Sequence, residues 1–152
     1  MKLSKRIVVV DDERSVRTGL SNLLESDGYS TQVFESAEAL LNDDAAIQNA
    51  ALFIIDVELK GMSGFDLFKA LCVRLGKPPG IIISGNGDEN MLWCAITLGA
   101  IAFLPKPINI DTLFEHIHRT FSHDCVVITR RAKRLRWPCL PAMKRAIRSP
   151  AA

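Results

Sequence analysis

Short runs of β-branched and aliphatic residues recur along roughly the first 120 residues, and a segment with helical spacing of apolar residues follows each run. Strands that alternate with helices in this way are joined in parallel, with helices on both faces of the sheet. We therefore predict an α/β fold built on a five-stranded parallel sheet. Strands are predicted at Arg6–Val10, Ser30–Phe34, Ala51–Ile55, Ile81–Ile83 and Ala102–Leu104, and helices at Arg14–Asp27, Ser36–Leu41, Phe65–Leu75, Asp88–Leu98 and Asp111–Phe121.

Polar groups follow four of these strands. Asp11 and Asp12 come after the first strand, Asp56 after the third, Ser84 after the fourth and Lys106 after the fifth. Ligands of open parallel sheets bind outside the carboxyl ends of the strands, so these residues should converge. We predict one pocket that holds three carboxylates, a hydroxyl and an ammonium group.

The chemistry of such a pocket points to phosphate and a metal. Clustered carboxylates repel one another unless a hard divalent cation neutralises them, and Mg²⁺ is the natural candidate. Asp56 ends the central strand and suits a nucleophile toward a phosphoryl group, with Asp11 and Asp12 holding the metal. Lys106 would bind a phosphoryl oxygen as a compact charge, and Ser84 offers a hydroxyl. Taken alone, Asp11 and Asp12 fit a helix N-terminus equally well, while Asp56 is better explained as a cap, Ser84 as a turn residue and Lys106 as a surface lysine. Only their joint occurrence predicts the site.

Charge is unevenly distributed along the chain. Residues 1–123 hold 11 Lys and Arg against 16 Asp and Glu, whereas residues 124–152 hold 8 against 1. Helical and strand periodicity ends near His123, so we predict one domain over 1–123 and a basic, disordered tail over 124–152. No apolar stretch approaches the ~20 residues of a membrane span. The four cysteines show no paired spacing. We expect a cytoplasmic protein with reduced thiols and no membrane association.

Several motifs, taken together, resemble the receiver domain of bacterial two-component response regulators, and most closely the FixJ-like branch. The similarity covers Lys5 to about Phe121. The resemblance implies a flavodoxin-like, doubly wound sheet with strand order 2-1-3-4-5. The motifs are VVVDDE (Val8–Glu13), LLESDGY (Leu23–Tyr29), ESAEALL (Glu35–Leu41), IIDVELKGMSGFDL (Ile54–Leu67), IIISGNGD (Ile81–Asp88) and GAIAFLPKP (Gly99–Pro107).

The resemblance implies a phosphorylation-dependent switch, not an enzyme in the usual sense. Asp56 would accept a phosphoryl group from a histidine kinase or a phosphotransfer protein and lose it by slow self-hydrolysis. Mg²⁺ would be held by Asp11, Asp12, Asp56 and the backbone carbonyl of Glu58. Lys106 would pair with the phosphate.

The resemblance also assigns residues that respond to the phosphate. Ser84 would be the switch hydroxyl and Phe103 the switch aromatic, while Glu58 and Asn86 occupy positions that tune hydrolysis. The Lys106–Pro107 bond would be cis. Phosphorylation would change a face over Asp88–Leu98, Ala102–Leu104 and Asp111–Phe121, through which a homodimer is one hypothesis.

Two features depart from the family pattern. Lys60 stands where the family usually has proline, which puts the rigidity of the loop after Asp56 in question. Residues 124–152 do not resemble the helix-turn-helix output domain that FixJ-like regulators carry. A stand-alone or truncated transcriptional response regulator would account for this, and we do not expect this chain to bind DNA.

Other interpretations remain open. An aspartate-nucleophile phosphatase of the haloacid dehalogenase type would use an acid/base carboxylate two residues after the nucleophile, where Glu58 follows Asp56. A receiver-like scaffold would need no phosphate. A DNA-binding role would depend on the basic tail and on salt.

Overall fold

The computed structural model describes residues 5–86 and 89–122. Within these ranges the strands form one sheet in the order β2-β1-β3-β4-β5, and all neighbouring strands are parallel. The predicted α/β fold and strand order are therefore confirmed. The strands are β1 (Arg6–Val10), β2 (Ser30–Phe34), β3 (Leu52–Asp56), β4 (Gly80–Ser84) and β5 (Ala102–Pro105), and the helices are α1 (Arg14–Ser26), α2 (Ala37–Leu41), α3 (Asp44–Asn49), α4 (Gly64–Leu75), α5 (Glu89–Leu98) and α6 (Ile110–Ser122).

The central strand β3 and its neighbour β4 are buried along their whole length. Successive residues of a strand point to opposite faces, so continuous burial means that both faces of the sheet are covered. On one face, Val8, Phe53 and Ile82 pack into a cluster that also includes Leu67 and Leu71 of α4. The register between β3 and β4 is fixed by this packing, because a shift of one residue would move the side chains of each face to the opposite face.

One helix was not predicted from the sequence. Helix α3 follows α2 almost directly and begins where the Asp43 carboxylate accepts the Ala46 amide at 3.1 Å. Only Ala46 and Ile47 of this helix are buried. A helix of six residues with two buried residues is too short to show helical periodicity in the sequence. The sequence signal that could have indicated it is the N-cap residue Asp43.

The chain divides into two units, residues 1–110 and 111–152. The sheet and α1–α5 belong to the first unit, and the second is described only as far as the end of α6. In α6, Leu113 and Ile117 are buried as its apolar stripe predicted. Asp88 and the predicted tail, 124–152, lie outside the described residues, so the boundary after residue 123 stays a prediction. No helix within 5–86 or 89–122 has the length and apolar character that crossing a membrane requires.

Candidate functional site

The predicted site residues lie at one end of the sheet. Asp11 and Lys106 come directly after β1 and β5. Asp56 and Ser84 are the last residues of β3 and β4. In a parallel sheet the carboxyl ends of all strands share one edge, which is why this order in sequence becomes proximity in space. The Lys106–Pro107 peptide bond is cis, as the family resemblance implied.

Asp56 is almost completely buried, with 1% of its surface exposed. Its Oδ1 accepts the Glu58 amide at 3.1 Å, and its Oδ2 lies 3.2 Å from the Lys106 ammonium. Burial, and after it the neighbouring Asp11 carboxylate, raises the pKa of Asp56 to about 6, although Lys106 acts in the opposite direction. At neutral pH the group is thus a carboxylate that is held in place but poorly solvated.

Lys106 is the cation of the pocket. Its Nζ lies 3.0 Å from Asp11 Oδ2, 3.2 Å from Asp56 Oδ2 and 3.2 Å from Glu13 Oε1. Burial acts to lower its pKa, but the three carboxylates outweigh burial and raise the pKa above the ordinary value for lysine. Lys106 therefore stays charged, and one ammonium faces three acidic side chains.

The carboxylates are arranged so that a metal ion could join them. Ligand oxygens of Asp11, Asp12 and Asp56 lie within 4.8 Å of one another. Asp11 Oδ1 accepts the Glu13 amide at 2.8 Å. Asp11 Oδ2 is buried and, among the described residues, makes no hydrogen bond of ordinary geometry despite its ion pair with Lys106. A buried oxygen left without a well-aligned donor, beside two more carboxylates, fits a hard cation with oxygen ligands.

Ser84 is fully buried and its hydroxyl is engaged. Ser84 Oγ donates to Glu58 Oε2 at 2.5 Å and accepts the Asn86 amide at 3.0 Å. The other oxygen of Glu58 accepts the Gly85 amide at 3.0 Å. Partial burial acts to raise the pKa of Glu58, but the hydrogen bonds from Ser84 and Gly85 outweigh it and lower that pKa.

Phe103 lies against the hydrophobic core, whereas Asn86 lies on the surface. Phe103 is partly buried and packs against the core cluster. Asn86 is exposed and reaches the site through its backbone, since its amide bonds the Ser84 hydroxyl. Lys60 is exposed on the loop between β3 and α4.

Three further residues, for which the sequence predicts no role, support the site. Glu13 pairs with Lys106, and Glu38 of α2 accepts the Met62 amide at 3.1 Å, which fixes the loop whose rigidity Lys60 put in question. At Gly64 a Cβ would lie 2.2 Å from the Asp56 carbonyl oxygen, so only glycine lets α4 approach so closely. Position 64 carries a sequence signal, a glycine after the Ser63 cap, but the contacts of Glu13 and Glu38 carry none.

A cleft of about 520 Å³ opens beside the carboxylates. Glu13, Gly85 and Lys106 line the end nearest the site, while Val16, Leu20 and Leu23 of α1 line one apolar side and Pro107, Ile108 and Ile110 line another.

Comparisons with known proteins identify the family to which the chain is similar. Residues 7–118 match the response regulator receiver domain family. The transcriptional regulatory protein FixJ of Rhizobium meliloti is 34% identical over 115 residues, which are 76% of this chain and 56% of that protein. The response regulator protein TmoT of Ectopseudomonas mendocina is 40% identical over 107 residues, 70% of this chain and 48% of that protein. The chain thus spans about half the length of these relatives.

Solved structures give the same result. A CheY-like receiver domain protein from Methanospirillum hungatei JF-1 has a TM-score of 0.72 at 26% identity, covering 80% of this chain and 96% of that one. The response regulator StyR has a TM-score of 0.72 at 32% identity, covering 85% and 65%. The fold, the carboxyl-edge cluster and the family match lead to one conclusion: the chain belongs to the receiver domain family of two-component response regulators.

Proposed function

We propose that Asp56 is the phosphoacceptor of this receiver domain and that its phosphorylation switches a signalling output. The observation that carries the proposal is the buried Asp56 carboxylate, with the Lys106 ammonium 3.2 Å from one oxygen and two further aspartates close by. A buried carboxylate that pairs with a cation and lies among other carboxylates able to hold a metal is suited to attack a phosphoryl group rather than to stabilise the fold.

In the proposed step an Asp56 oxygen attacks the phosphorus of a phosphohistidine on a histidine kinase or phosphotransfer protein. The new O–P bond forms as the P–N bond breaks, and the leaving imidazole nitrogen keeps the electron pair and takes up a proton. Water later attacks the phosphorus, which releases inorganic phosphate and restores the carboxylate. Lys106 would stabilise negative charge on the phosphoryl oxygens in both steps.

The metal of the site is proposed to be Mg²⁺. Asp11, Asp12, Asp56 and the Glu58 backbone carbonyl would hold it, and the ion would supply charge neutralisation at the phosphoryl oxygens. The buried Asp11 Oδ2, which lacks a well-aligned hydrogen bond within residues 5–86 and 89–122, supports a ligand role for that residue.

The output is proposed to depend on Ser84 and Phe103. The Ser84 hydroxyl would bind a phosphoryl oxygen, Phe103 would follow it inward, and the surfaces of α5, β5 and α6 would change, with Glu58 and Asn86 tuning hydrolysis. A charge-assisted hydrogen bond of roughly 1.5–3 kcal/mol is enough to shift a two-state population about ten- to a hundredfold.

The protein partners follow from the same chemistry. A donor that brings phosphohistidine to Asp56 can lie along the apolar cleft of α1, which ends at Glu13 and Lys106. A homodimer is proposed through α5, β5 and α6, because α5 exposes Leu92, Trp93 and Ile96. Transcriptional control is proposed from the relatives, and the proposed location is the cytoplasm.

The test is the intact mass of the protein after incubation with phosphoramidate, with and without Mg²⁺. Wild type should gain one phosphoryl group only with Mg²⁺, whereas Asp56→Ala should gain none. Asp66→Ala is the matched control, because Asp66 is an exposed carboxylate of α4, and it should behave as wild type. A folded wild-type protein without an adduct, or an adduct that persists in Asp56→Ala, would refute the proposal.

The alternatives predict different outcomes of related measurements. A haloacid dehalogenase-type phosphatase would turn over a small phosphate ester repeatedly instead of stopping at one adduct. A phosphate-independent scaffold would bind its partner equally well as Asp56→Asn. DNA binding through residues 124–152 would show a steep dependence on salt.

A further inference from the structure

Glu58 forms contacts that its exposed position does not require. The residue is exposed, yet both carboxylate oxygens are directed inward, Oε2 to the Ser84 hydroxyl at 2.5 Å and Oε1 to the Gly85 amide at 3.0 Å. We propose that the Glu58 carboxylate is an internal competitor of the phosphoryl group, holding the hydroxyl and amide that a phosphorylated Asp56 needs. The inference rests on the proposed function of Asp56.

The position of these donors supports the competition. β3 and β4 are paired with Asp56 opposite Ile83, so Ser84 is one residue beyond the partner of the phosphoacceptor. A Cβ built on Gly85 would be 3.9 Å from Lys106 Cδ and 4.0 Å from Glu58 Oε1. The side chains of Glu58 and of the lysine that pairs with Asp56 therefore both come close to Gly85, and Glu58 also accepts the Gly85 amide.

A carboxylate and a phosphoryl group can accept hydrogen bonds from the same donors, here the Ser84 hydroxyl and the Gly85 amide. Both are anionic, and both present oxygens that accept charge-assisted hydrogen bonds from a hydroxyl and an amide. Each of the two donors has one hydrogen, so Glu58 and a phosphoryl oxygen cannot both receive a full hydrogen bond from it. Binding of the phosphoryl group must then release Glu58 to solvent.

Only molecules in which Glu58 has already released the two donors can bind the phosphoryl group fully. The apparent affinity is therefore the intrinsic affinity multiplied by the fraction of molecules in that open form. If the occupied form exceeds the open form by about tenfold, a value expected for the net loss of one hydrogen bond to a charged group, the apparent affinity falls by about tenfold. Glu58 would thus set the threshold at which the switch responds.

The test measures the affinity of the full chain for fluoroberyllate, a tetrahedral anion with the shape of a phosphoryl group, in the presence of Mg²⁺. Fluorine NMR of the bound anion gives the Kd, and the amide shift of Gly85 reports its hydrogen bond independently. The variants are Glu58→Asp, which keeps the charge but is one methylene too short to reach both donors, and Glu58→Gln, which keeps the length but loses the charge. Both alter an exposed side chain, and circular dichroism checks their fold.

The proposal expects Glu58→Asp to bind fluoroberyllate about tenfold more tightly than wild type, with Glu58→Gln also tighter and the Gly85 amide shifted in both variants without the anion. If Glu58→Asp matches wild type while Glu58→Gln is tighter, the effect is charge repulsion and the proposal is wrong. Equal Kd values in all three proteins also overturn it while leaving the phosphoacceptor role intact. If neither wild type nor either variant binds fluoroberyllate, the proposed function and this inference are both wrong.

Discussion

Asp56, the proposed phosphoacceptor, illustrates how a buried carboxylate can oppose folding. Its burial and its proximity to Asp11 raise its pKa to about 6, so the folded chain binds a proton more tightly than the unfolded chain. By linkage, protonation of Asp56 stabilises the folded protein fully at pH values below the pKa of Asp56 in the unfolded chain. That stabilisation is lost as the pH rises through the folded-state value of about 6. At neutral pH without a metal, the ionised group is a cost to the fold that Lys106 offsets only in part.

Replacing this carboxylate should therefore stabilise the metal-free protein. We expect Asp56→Asn to raise the free energy of unfolding at pH 7 in EDTA by on the order of 1 kcal/mol, and the gain should shrink as pH falls from 6 to 4. Urea unfolding at several pH values measures it. Glu35→Gln, at an exposed carboxylate, should show no such pH-dependent gain. A variant less stable than wild type at pH 7 would show that the ion pair with Lys106 outweighs burial and repulsion.

At the scale of elements, the geometry of the site depends on how closely helices approach strand ends. Helix α4 begins at Gly64, after Ser63 caps it by accepting the Asp66 amide at 3.2 Å. The start of α4 lies against the Asp56 backbone, where a Cβ at position 64 would be 2.2 Å from the carbonyl oxygen. Backbone contacts of this kind cannot relax as the end of a flexible side chain can.

We expect Gly64→Ala to lower the free energy of unfolding by about 3 kcal/mol, because an added methyl group forces α4 away from β3. Gly19→Ala is the matched control. Gly19 lies in α1, and in the part of the chain that the structure describes no atom is within 4 Å of a built Cβ. Alanine there should stabilise the protein by about 0.5–1 kcal/mol through helix propensity. Denaturant unfolding of both variants gives the comparison, and equal effects of the two changes would contradict the close-approach argument.

At the scale of the whole molecule, α5 exposes large apolar side chains that a helix facing only solvent would be expected to lack. Trp93 and Ile96 are 60% and 53% exposed, and only Ala95 of this helix is buried. Large apolar groups clustered on one helix are typical of an interaction surface. A second copy of the chain is the proposed occupant, and the proposed phosphorylation would control its binding.

Light scattering tests this association. Wild type should increase in mass when fluoroberyllate and Mg²⁺ are added, whereas Ile96→Asp should remain at the monomer mass because it places a charge in the interface. Val73→Asp is the control, since Val73 is 86% exposed on α4 and should not affect the interface. An unchanged wild-type mass under both conditions would remove the homodimer proposal.

The sequence by itself determined the fold and the identities of the proposed site residues. Aliphatic strands alternating with amphipathic helices permit few parallel topologies, and polar residues directly after strands must meet at one edge of the sheet. The predicted bounds of the strands agree with the structure to within one residue, because turn residues and polar groups mark where each apolar run ends. The family motifs then supplied the strand order and the expected roles of Ser84, Phe103 and Lys106.

Only the tertiary structure decided which side chains contact one another. Glu13 reaches Lys106 across 93 positions of sequence, Glu38 reaches the Met62 amide across 24, and Glu58 bonds Ser84 across 26. No local pattern encodes these contacts, because they depend on the packing of separate elements and on the rotamers that packing permits. The same is true of the raised pKa of Asp56, since burial and the neighbouring Asp11 exist only once β1 and β3 lie side by side.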